Sequence, residues 1–286
     1  MRDYYRNGTT LMSFDFTKMH GLGNDFIVIN ALQKEFSLSA AEISQLAHRR
    51  TGIGFDQLLV VASPDESGVD FSYRIFNADG GEVENCGNGA RCFARYVTDR
   101  GLTDKKDITV STSAGQMILT VLDDNQVLVR MDVPVFEPDK VPFVAPDPAS
   151  HYDLSVDGEL LEVGVVSIGN PHAVTVVRDV QRAEVLKYGP LIENHERFPQ
   201  RVNAGFMQID SRSEISLRVF ERGVGETMAC GTGACAAVAV GVTQGVLDRQ
   251  VTVHLAGGDL VIRWMDNDAR IEMIGPVETV FEGRLG

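Results

Sequence analysis

Two cysteine-containing runs carry the densest chemistry in this 286-residue chain. The first reads Asn77-Ala-Asp-Gly-Gly-Glu-Val-Glu-Asn-Cys86-Gly-Asn-Gly, the second Glu221-Arg-Gly-Val-Gly-Glu-Thr-Met-Ala-Cys230-Gly-Thr-Gly. Each follows a strand-like apolar run and leads into a helical one, which puts its cysteine at a helix N-terminus. Unpaired N–H groups there favour thiolate and are expected to lower the thiol pKa. The same amides can hold a carboxylate, and the glycines leave them uncovered. One such cysteine would suggest a nucleophile. Two could approach one carbon from opposite faces, one removing a proton as thiolate while the other delivers one as thiol. That is two-base racemisation or epimerisation, and it needs no electron-sink cofactor if the site stabilises the carbanion electrostatically.

The two runs belong to a larger repeat. Asn24 sits in Gly-Asn-Asp-Phe-Ile-Val and Asn170 in Gly-Asn-Pro-His-Ala-Val, 146 residues apart (170 − 24), while Cys86 and Cys230 are 144 apart (230 − 86). Gln57 and Asn203 each lie 33 residues after their Asn, and Asn77 and Glu221 each nine before their Cys. Four polar positions therefore recur in register with one two-residue deletion. A duplicated domain follows, and with it a pseudo-twofold molecule whose site lies in the cleft between halves.

The elements that must position these residues are mostly strands. Apolar runs predict strands over 26–30, 57–62 and 71–76, with Phe71, Tyr73 and Ile75 on one face. A helix is predicted over 39–50 from the stripe Ala40, Ile43, Leu46 and Ala47, and a second over 89–100, closed by Gly101. Strands follow at 108–111, 117–122 and 127–131. Five of the ten prolines then fall between Pro134 and Pro148, and the inter-domain connection is placed there. The second half predicts strands over 163–168, 173–177, 202–209 and 215–220. An Ala-rich helix over 233–244 stops at Gly245, before closing strands at 251–255, 260–265 and 271–274. The expected domains are thus 14–130 and 131–275, behind an unpatterned tail at 1–13.

Composition removes several classes of function. Lys plus Arg is 26 and Asp plus Glu 40, a net charge of −14 that argues against nucleic-acid binding and anionic membrane surfaces. No apolar stretch reaches the roughly 20 residues of a membrane span, and the polar start lacks a signal-peptide core. A reducing, cytoplasmic setting with free thiols is therefore expected. No cysteine pair has C-x-x-C spacing, so neither a zinc site nor a thioredoxin-like redox motif is expected. Cys92 and Cys235 lie inside helices among small residues and read as packing. Asn24, Gln57, Asn77, Asn170 and Asn203 each have a bland reading as turn or cap residues, which their recurrence weakens. His172 at a strand start reads as structural, and Glu221 with Arg222 could be a strand-end ion pair. Gly21-Leu-Gly23 lacks the third glycine and following helix of a dinucleotide fingerprint.

Taken together, these segments closely resemble the diaminopimelate epimerase family. The resemblance rests on Lys18-Met-His-Gly-Leu-Gly-Asn-Asp-Phe26, Thr51-Gly-Ile-Gly-Phe-Asp-Gln57, the Cys86-Gly-Asn-Gly-Ala-Arg-Cys-Phe run, Gly169-Asn-Pro-His172, Arg201-Val-Asn-Ala-Gly-Phe206 and the Cys230 run. It implies interconversion of LL- and meso-diaminopimelate, in lysine and peptidoglycan precursor synthesis, without pyridoxal phosphate or metal. It assigns the acid/base pair to Cys86 and Cys230, with His172 supporting Cys86 and Glu221 supporting Cys230. Asn24, Gln57, Asn77, Asn170, Asn203, Glu221 and Arg222 would hold the substrate, and the amides at Gly87, Asn88, Gly231 and Thr232 its reacting carboxylate. The implied fold is α/β (α+β-like): two similar domains, each a curved, mostly antiparallel sheet around a central helix. A last strand within 276–286 would return to the first domain, and a homodimer is common. Because a thiolate is a modest base for an α-proton, the site must exclude water, and closure of the two domains on substrate is expected.

Three other readings compete. A proline or hydroxyproline racemase would keep the architecture and change the substrate. A non-catalytic amino-acid binding protein would need neither cysteine, and a thiol redox protein is disfavoured by spacing. The two-base reading makes each thiol indispensable. Cys86→Ala and Cys230→Ala are each expected to lower the epimerisation rate by about 10²–10⁴-fold, and near-wild-type turnover in either variant would refute it.

Overall fold

The computed structural model describes residues 13–64, 66–83 and 86–285, so the tail expected over 1–13 lies outside the described residues except for Ser13. The first half runs β1 (Phe14–Gly21), β2 (Asn24–Asn30), α1 (Ala40–Ala47), β3 (Gln57–Ala62), β4 (Phe71–Asn77), β5 (Glu82–Val83), α2 (Gly87–Asp99), β6 (Asp107–Thr112), β7 (Gly115–Val121) and β8 (Gln126–Arg130). The second runs β9 (Tyr152–Val156), β10 (Glu159–Ser167), β11 (Pro171–Val176), α3 (Val185–Glu193), β12 (Asn203–Ser211), β13 (Glu214–Glu221), β14 (Gly225–Thr227), α4 (Gly231–Thr243), β15 (Gln250–Leu255), β16 (Gly258–Arg263) and β17 (Glu272–Pro276). Strand β18 (Glu278–Leu285) closes the chain.

The pairing repeats as the sequence does. In the first half β2 runs parallel to β3, β3 antiparallel to β4, and β4 parallel to β6, with β7 and β8 following antiparallel. In the second half β11, β12, β13, β15, β16 and β17 repeat those relations. Helices α2 and α4 start and end 144 residues apart (231 − 87; 243 − 99). The halves are joined edge to edge where β8 pairs antiparallel with β17, Val127 opposite Gly275. The last strand, β18, returns to the first half and pairs antiparallel with β1. The expected α/β fold of two similar halves is therefore the one observed.

Burial explains why each half wraps around one helix. Strands from both ends of the first half touch α2, and strands from both ends of the second touch α4. A helix covered on all sides must be apolar or small on all sides, and α4 carries Ala234, Ala236, Ala237, Val238, Ala239 and Val240, all buried. Small residues let backbone approach closely: a Cβ on Gly164 of β10 would stand 2.3 Å from Val240 Cγ1. One apolar cluster runs through both helices and both inner sheet faces. Outside it, α1 covers one sheet with Ile43 and Leu46, joined by Phe55 from the loop that follows, and α3 covers the other with Val185 and Ile192, joined by Phe198.

Local chemistry corrected several predicted boundaries. Helix α1 opens with a capping box between Ser39 and Glu42 and stops at Ala47, before the predicted 50. His48 Nδ1 accepts from the amides of Arg50 and Thr51 at 3.3 and 3.2 Å, which turns the chain out of the helix. Helix α3 was not anticipated, because Gly189-Pro190 reads as a turn, yet Pro190 lies within it. The Pro-rich stretch is not a free linker. Val135 bridges to Ser167, and Val141 and Phe143 are buried in the second outer layer.

Phe93, on α2, is fully buried with its ring 4.7 Å from Tyr73 and 6.0 Å from Phe71. Phe93→Ala is expected to lower the unfolding free energy by about 3–5 kcal/mol, measured by urea denaturation.

Candidate active site

Each cysteine caps its helix. Cys86 is extended (φ −151°, ψ 111°), and its Sγ accepts from the Gly89 amide at 3.4 Å while its carbonyl accepts from Ala90. Cys230 stands likewise before α4 (φ −116°, ψ 107°), its carbonyl accepting from Ala234. The first amides of both helices have no partner within their own helix. The first turns abut. Asn88 Nδ2 donates to Ala229 O at 3.2 Å, and a Cβ on Gly231 would lie 3.6 Å from Asn88 Oδ1, a buried atom with no hydrogen-bond partner. Met273 of β17 fills the space between. A Cβ on Gly87 would stand 2.8 Å from its Cε, and one on Gly231 2.8 Å from its Sδ.

Around Cys86 the strands deliver amides. Register sets Gln57 opposite Asn77, and Gln57 Nε2 donates to Asn77 Oδ1 at 2.8 Å, leaving Gln57 Oε1 buried without a partner. Asn24, opening β2, has its Oδ1 3.9 Å from Cys86 Sγ and 3.4 Å from Asn88 Nδ2. Asp56 sets the amide's orientation, since its carboxylate can only accept, and Asn24 Nδ2 donates to it at 3.0 Å. Arg49 in turn bonds Asp25 and Asp56 at 2.7–2.9 Å, and Lys18 pairs with Asp25 at 2.6 Å. Burial alone would raise the Asp25 pKa, but its bonds to Arg49 and Lys18 outweigh that and hold it well below the ordinary range.

Around Cys230 the equivalent positions carry different chemistry. Glu221 ends β13 where Asn77 ends β4, and its Oε1 accepts from Thr227 Oγ1 at 2.5 Å. Its carboxylate acts electrostatically on the nearby Cys230 thiol, whose Sγ is 3.6 Å from Thr232 Oγ1. Glu221 and Arg222 form no ion pair. Arg222 Nη1 donates to Gln200 O, and its backbone amide donates to Asn203 Oδ1 at 2.9 Å. Asn203 Nδ2 donates to Pro171 O at 2.9 Å. His172 is buried opposite Asn203, its Nε2 3.0 Å from Asn170 Oδ1, while Asn170 Nδ2 reaches Thr232 Oγ1 at 3.3 Å. Among the described residues no hydrogen bond joins His172 to Cys86.

The expected depression of the thiol pKa is overturned. Burial pushes Cys86 up to about 11, and Glu221 adds to the rise, against the Gly89 and Asn88 amides and the positive charge of Arg91. Cys230 is also raised, by burial first and then by the Glu221 carboxylate. Desolvation of a thiolate here outweighs the one or two amides that reach each sulfur. Burial also raises the Glu221 carboxyl, whose interactions with Thr227 and Cys230 pull the other way. Asp56, Thr227 and Met273 went unnoticed in the sequence. Thr227 had one signal, because its repeat partner 144 residues earlier is Val83.

The fold and the paired cysteine caps place the chain among duplicated α/β isomerase-type proteins. It superposes on a phenazine biosynthesis protein of the PhzF family from Enterococcus faecalis with a TM-score of 0.69 at 13% identity, covering 96% of this chain and 100% of that one. A hydroxyproline epimerase from Agrobacterium vitis, solved with bound trans-4-OH-L-proline, gives 0.66 at 13% identity, covering 96% and 92%. At such identities the likeness shows the fold alone. Sequence decides the family. The chain matches the diaminopimelate epimerase family over residues 16–137 and 164–280, and is 57% identical over 276 residues to a diaminopimelate epimerase from Laribacter hongkongensis, covering 96% of this chain and 99% of that protein. The protein belongs to the diaminopimelate epimerase family and is an isomerase acting on a small molecule. Among the described residues no helix is long and apolar enough to cross a membrane.

Burial holds the His172 pKa down to about 3 from 6.5, helped by the charge of Arg222. Between those values the unfolded chain binds a proton that the native one does not, so stability falls as pH drops below 6.5. The expected slope approaches about 1.4 kcal/mol per pH unit. Urea titrations from pH 7 to 5 should show it, and His172→Gln should flatten it.

Proposed function

We propose that this protein interconverts LL- and meso-diaminopimelate by two-base proton transfer at the α-carbon, in a site between the two halves. The halves comprise residues 14–130 with 276–286, and 131–275. The observation that carries the reading is the pair of cysteine-capped helices, 144 residues apart and abutting through Asn88 and Met273.

The substrate's α-carboxylate sits on the free amides of Gly87, Asn88, Gly231 and Thr232, where both helix dipoles favour negative charge. One thiolate takes the α-proton, forming its S–H bond as the C–H pair passes to the α-carbon and its carboxylate. The opposite thiol gives its proton to the other face of that carbon and becomes the thiolate. Protons balance, no electrons are exchanged, and the two cysteines end with their roles exchanged. Desolvation strengthens the thiolate as a base toward a weakly acidic C–H once it has formed, at the cost of a smaller thiolate population in the resting site. Glu221 accepts from the Cys230 thiol and orients it. His172 bonds Asn170, whose amide reaches Thr232 beside Cys230, so its support of Cys86 belongs to the closed, substrate-bound enzyme. Gln57, Asn77, Asn24, Asn203 and Arg222 bind the substrate's remaining amine and carboxylate groups, and the buried, unpartnered Gln57 Oε1 offers an acceptor for an ammonium. A cytoplasmic homodimer that closes its halves on substrate completes the proposal.

The likeness to a hydroxyproline epimerase keeps imino-acid racemisation as the second reading. Incubation in deuterated water with LL-diaminopimelate, proline or hydroxyproline separates the two. Deuterium is expected at the α-carbon of diaminopimelate alone, with meso product appearing. Exchange on proline instead would replace the substrate, and binding without exchange on any of them would remove catalysis from the reading.

A further inference from the structure

Five residues after Cys86, helix α2 buries a guanidinium. Arg91 is 0% exposed, the largest fully buried side chain among the described residues. Its Nε donates to Pro276 O at 3.3 Å, its Nη1 to Gly87 O at 3.5 Å, and Nη1 also lies 3.6 Å from Met273 Sδ. Its Nη2 has no hydrogen-bond partner. The plane fits a slot between two residues that lack side chains. A Cβ on Gly21 would stand 3.0 Å from Nη2, and one on Gly275 3.2 Å from Nε.

Every polar partner is thus a neutral carbonyl or thioether. The titratable groups facing the cation are Cys86 and Cys92 on α2, Cys235 on α4 and Tyr73 on β4. A buried charge without a counter-charge is strongly unfavourable, and the repeat shows that the fold does not require one. The equivalent position, 144 residues on, is the small apolar Cys235. What the cation touches is the centre of the site. Gly87 is the first residue of α2, and Met273 is the side chain that separates the first turns of α2 and α4.

We propose that Arg91 is a positioning residue: a buried cation without a counter-ion that fixes the first turn of α2 against Met273 and supplies positive potential to the anions formed at Cys86. The inference rests on the reaction proposed above. The charged groups that act on the Cys86 thiol are Glu221, which opposes thiolate, and Arg91, which favours it; Tyr73 nearby is held neutral by burial. The amides of Gly89 and Asn88 act with Arg91. Loss of the charge therefore leaves the carboxylate opposed by those two amides alone.

Alkylation of Cys86 by iodoacetamide as a function of pH, followed by peptide mass, reads this without substrate. In Arg91→Met the midpoint is expected to move up by about one pH unit, with the rate at pH 8 falling about tenfold. Arg91→Lys should keep the wild-type midpoint while kcat/KM falls through the lost contacts to Gly87 and Pro276. An unchanged midpoint in folded Arg91→Met, or a lysine variant shifted as far as the methionine one, overturns the proposal. If Arg91→Met fails to fold, the lysine variant decides alone, and a shift of about one unit there overturns it. Wild-type protein that exchanges no α-proton on diaminopimelate would sink the substrate reading and leave the alkylation result standing, so the two failures are distinguishable.

Discussion

The structure depends on one poorly satisfied interaction: two helix N-termini, buried and abutting, whose first amides have no partner within their own helix beyond the capping sulfur. Elsewhere in a protein interior such groups would be capped by Ser, Thr, Asp or Asn oxygens. Here the caps are Cys86 and Cys230, whose sulfur is a weak acceptor. The dipoles therefore remain available to an anion from outside. Water would satisfy them equally well, so their value to a reaction depends on the surrounding sheet keeping the space dry.

The sheet does this by wrapping. Each half curls around its helix, the β8–β17 pair welds the two halves at one edge, and β18 returns across to β1. One apolar cluster consequently runs through both halves beneath the cysteines. The same burial raises both thiol pKa values, which reverses the ordinary expectation for a helix-capping cysteine. Dipole and desolvation act in opposite directions on a resting thiol. In the proposed reaction they act together, one holding the substrate's carboxylate and the other strengthening the thiolate as a base once it has formed.

Symmetry positions the site and departures from it divide the labour. The repeat pairs Asn77 with Glu221, Val83 with Thr227, Phe26 with His172 and Arg91 with Cys235. In each pair one half is polar or charged where the other is amide, apolar or small. The Cys230 side thereby gains a carboxylate held by Thr227, and the Cys86 side gains a buried cation. A strictly symmetric pair of thiols would have the same protonation preference. These substitutions give the two different electrostatic surroundings.

Much of this was legible in the chain itself. The repeat of Asn24, Gln57, Asn77 and Cys86 with Asn170, Asn203, Glu221 and Cys230 marked the duplication, the two helices and the proposed acid/base pair, because strand register and helix capping are local and leave residue types at fixed spacing. Helix α3 and the early stop of α1 were not legible, since tertiary cover tolerated Pro190 and the His48 side chain competed for backbone amides. The sign of the thiol pKa shifts was also hidden, because desolvation comes from strands distant in sequence. Asp56 on Asn24, Met273 between the helices and the slot for Arg91 between Gly21 and Gly275 are likewise products of the tertiary structure. The sequence by itself determined which residues are paired, since spacing survives without any neighbour. Only the folded chain decided their protonation and separation, since both depend on what is packed against them.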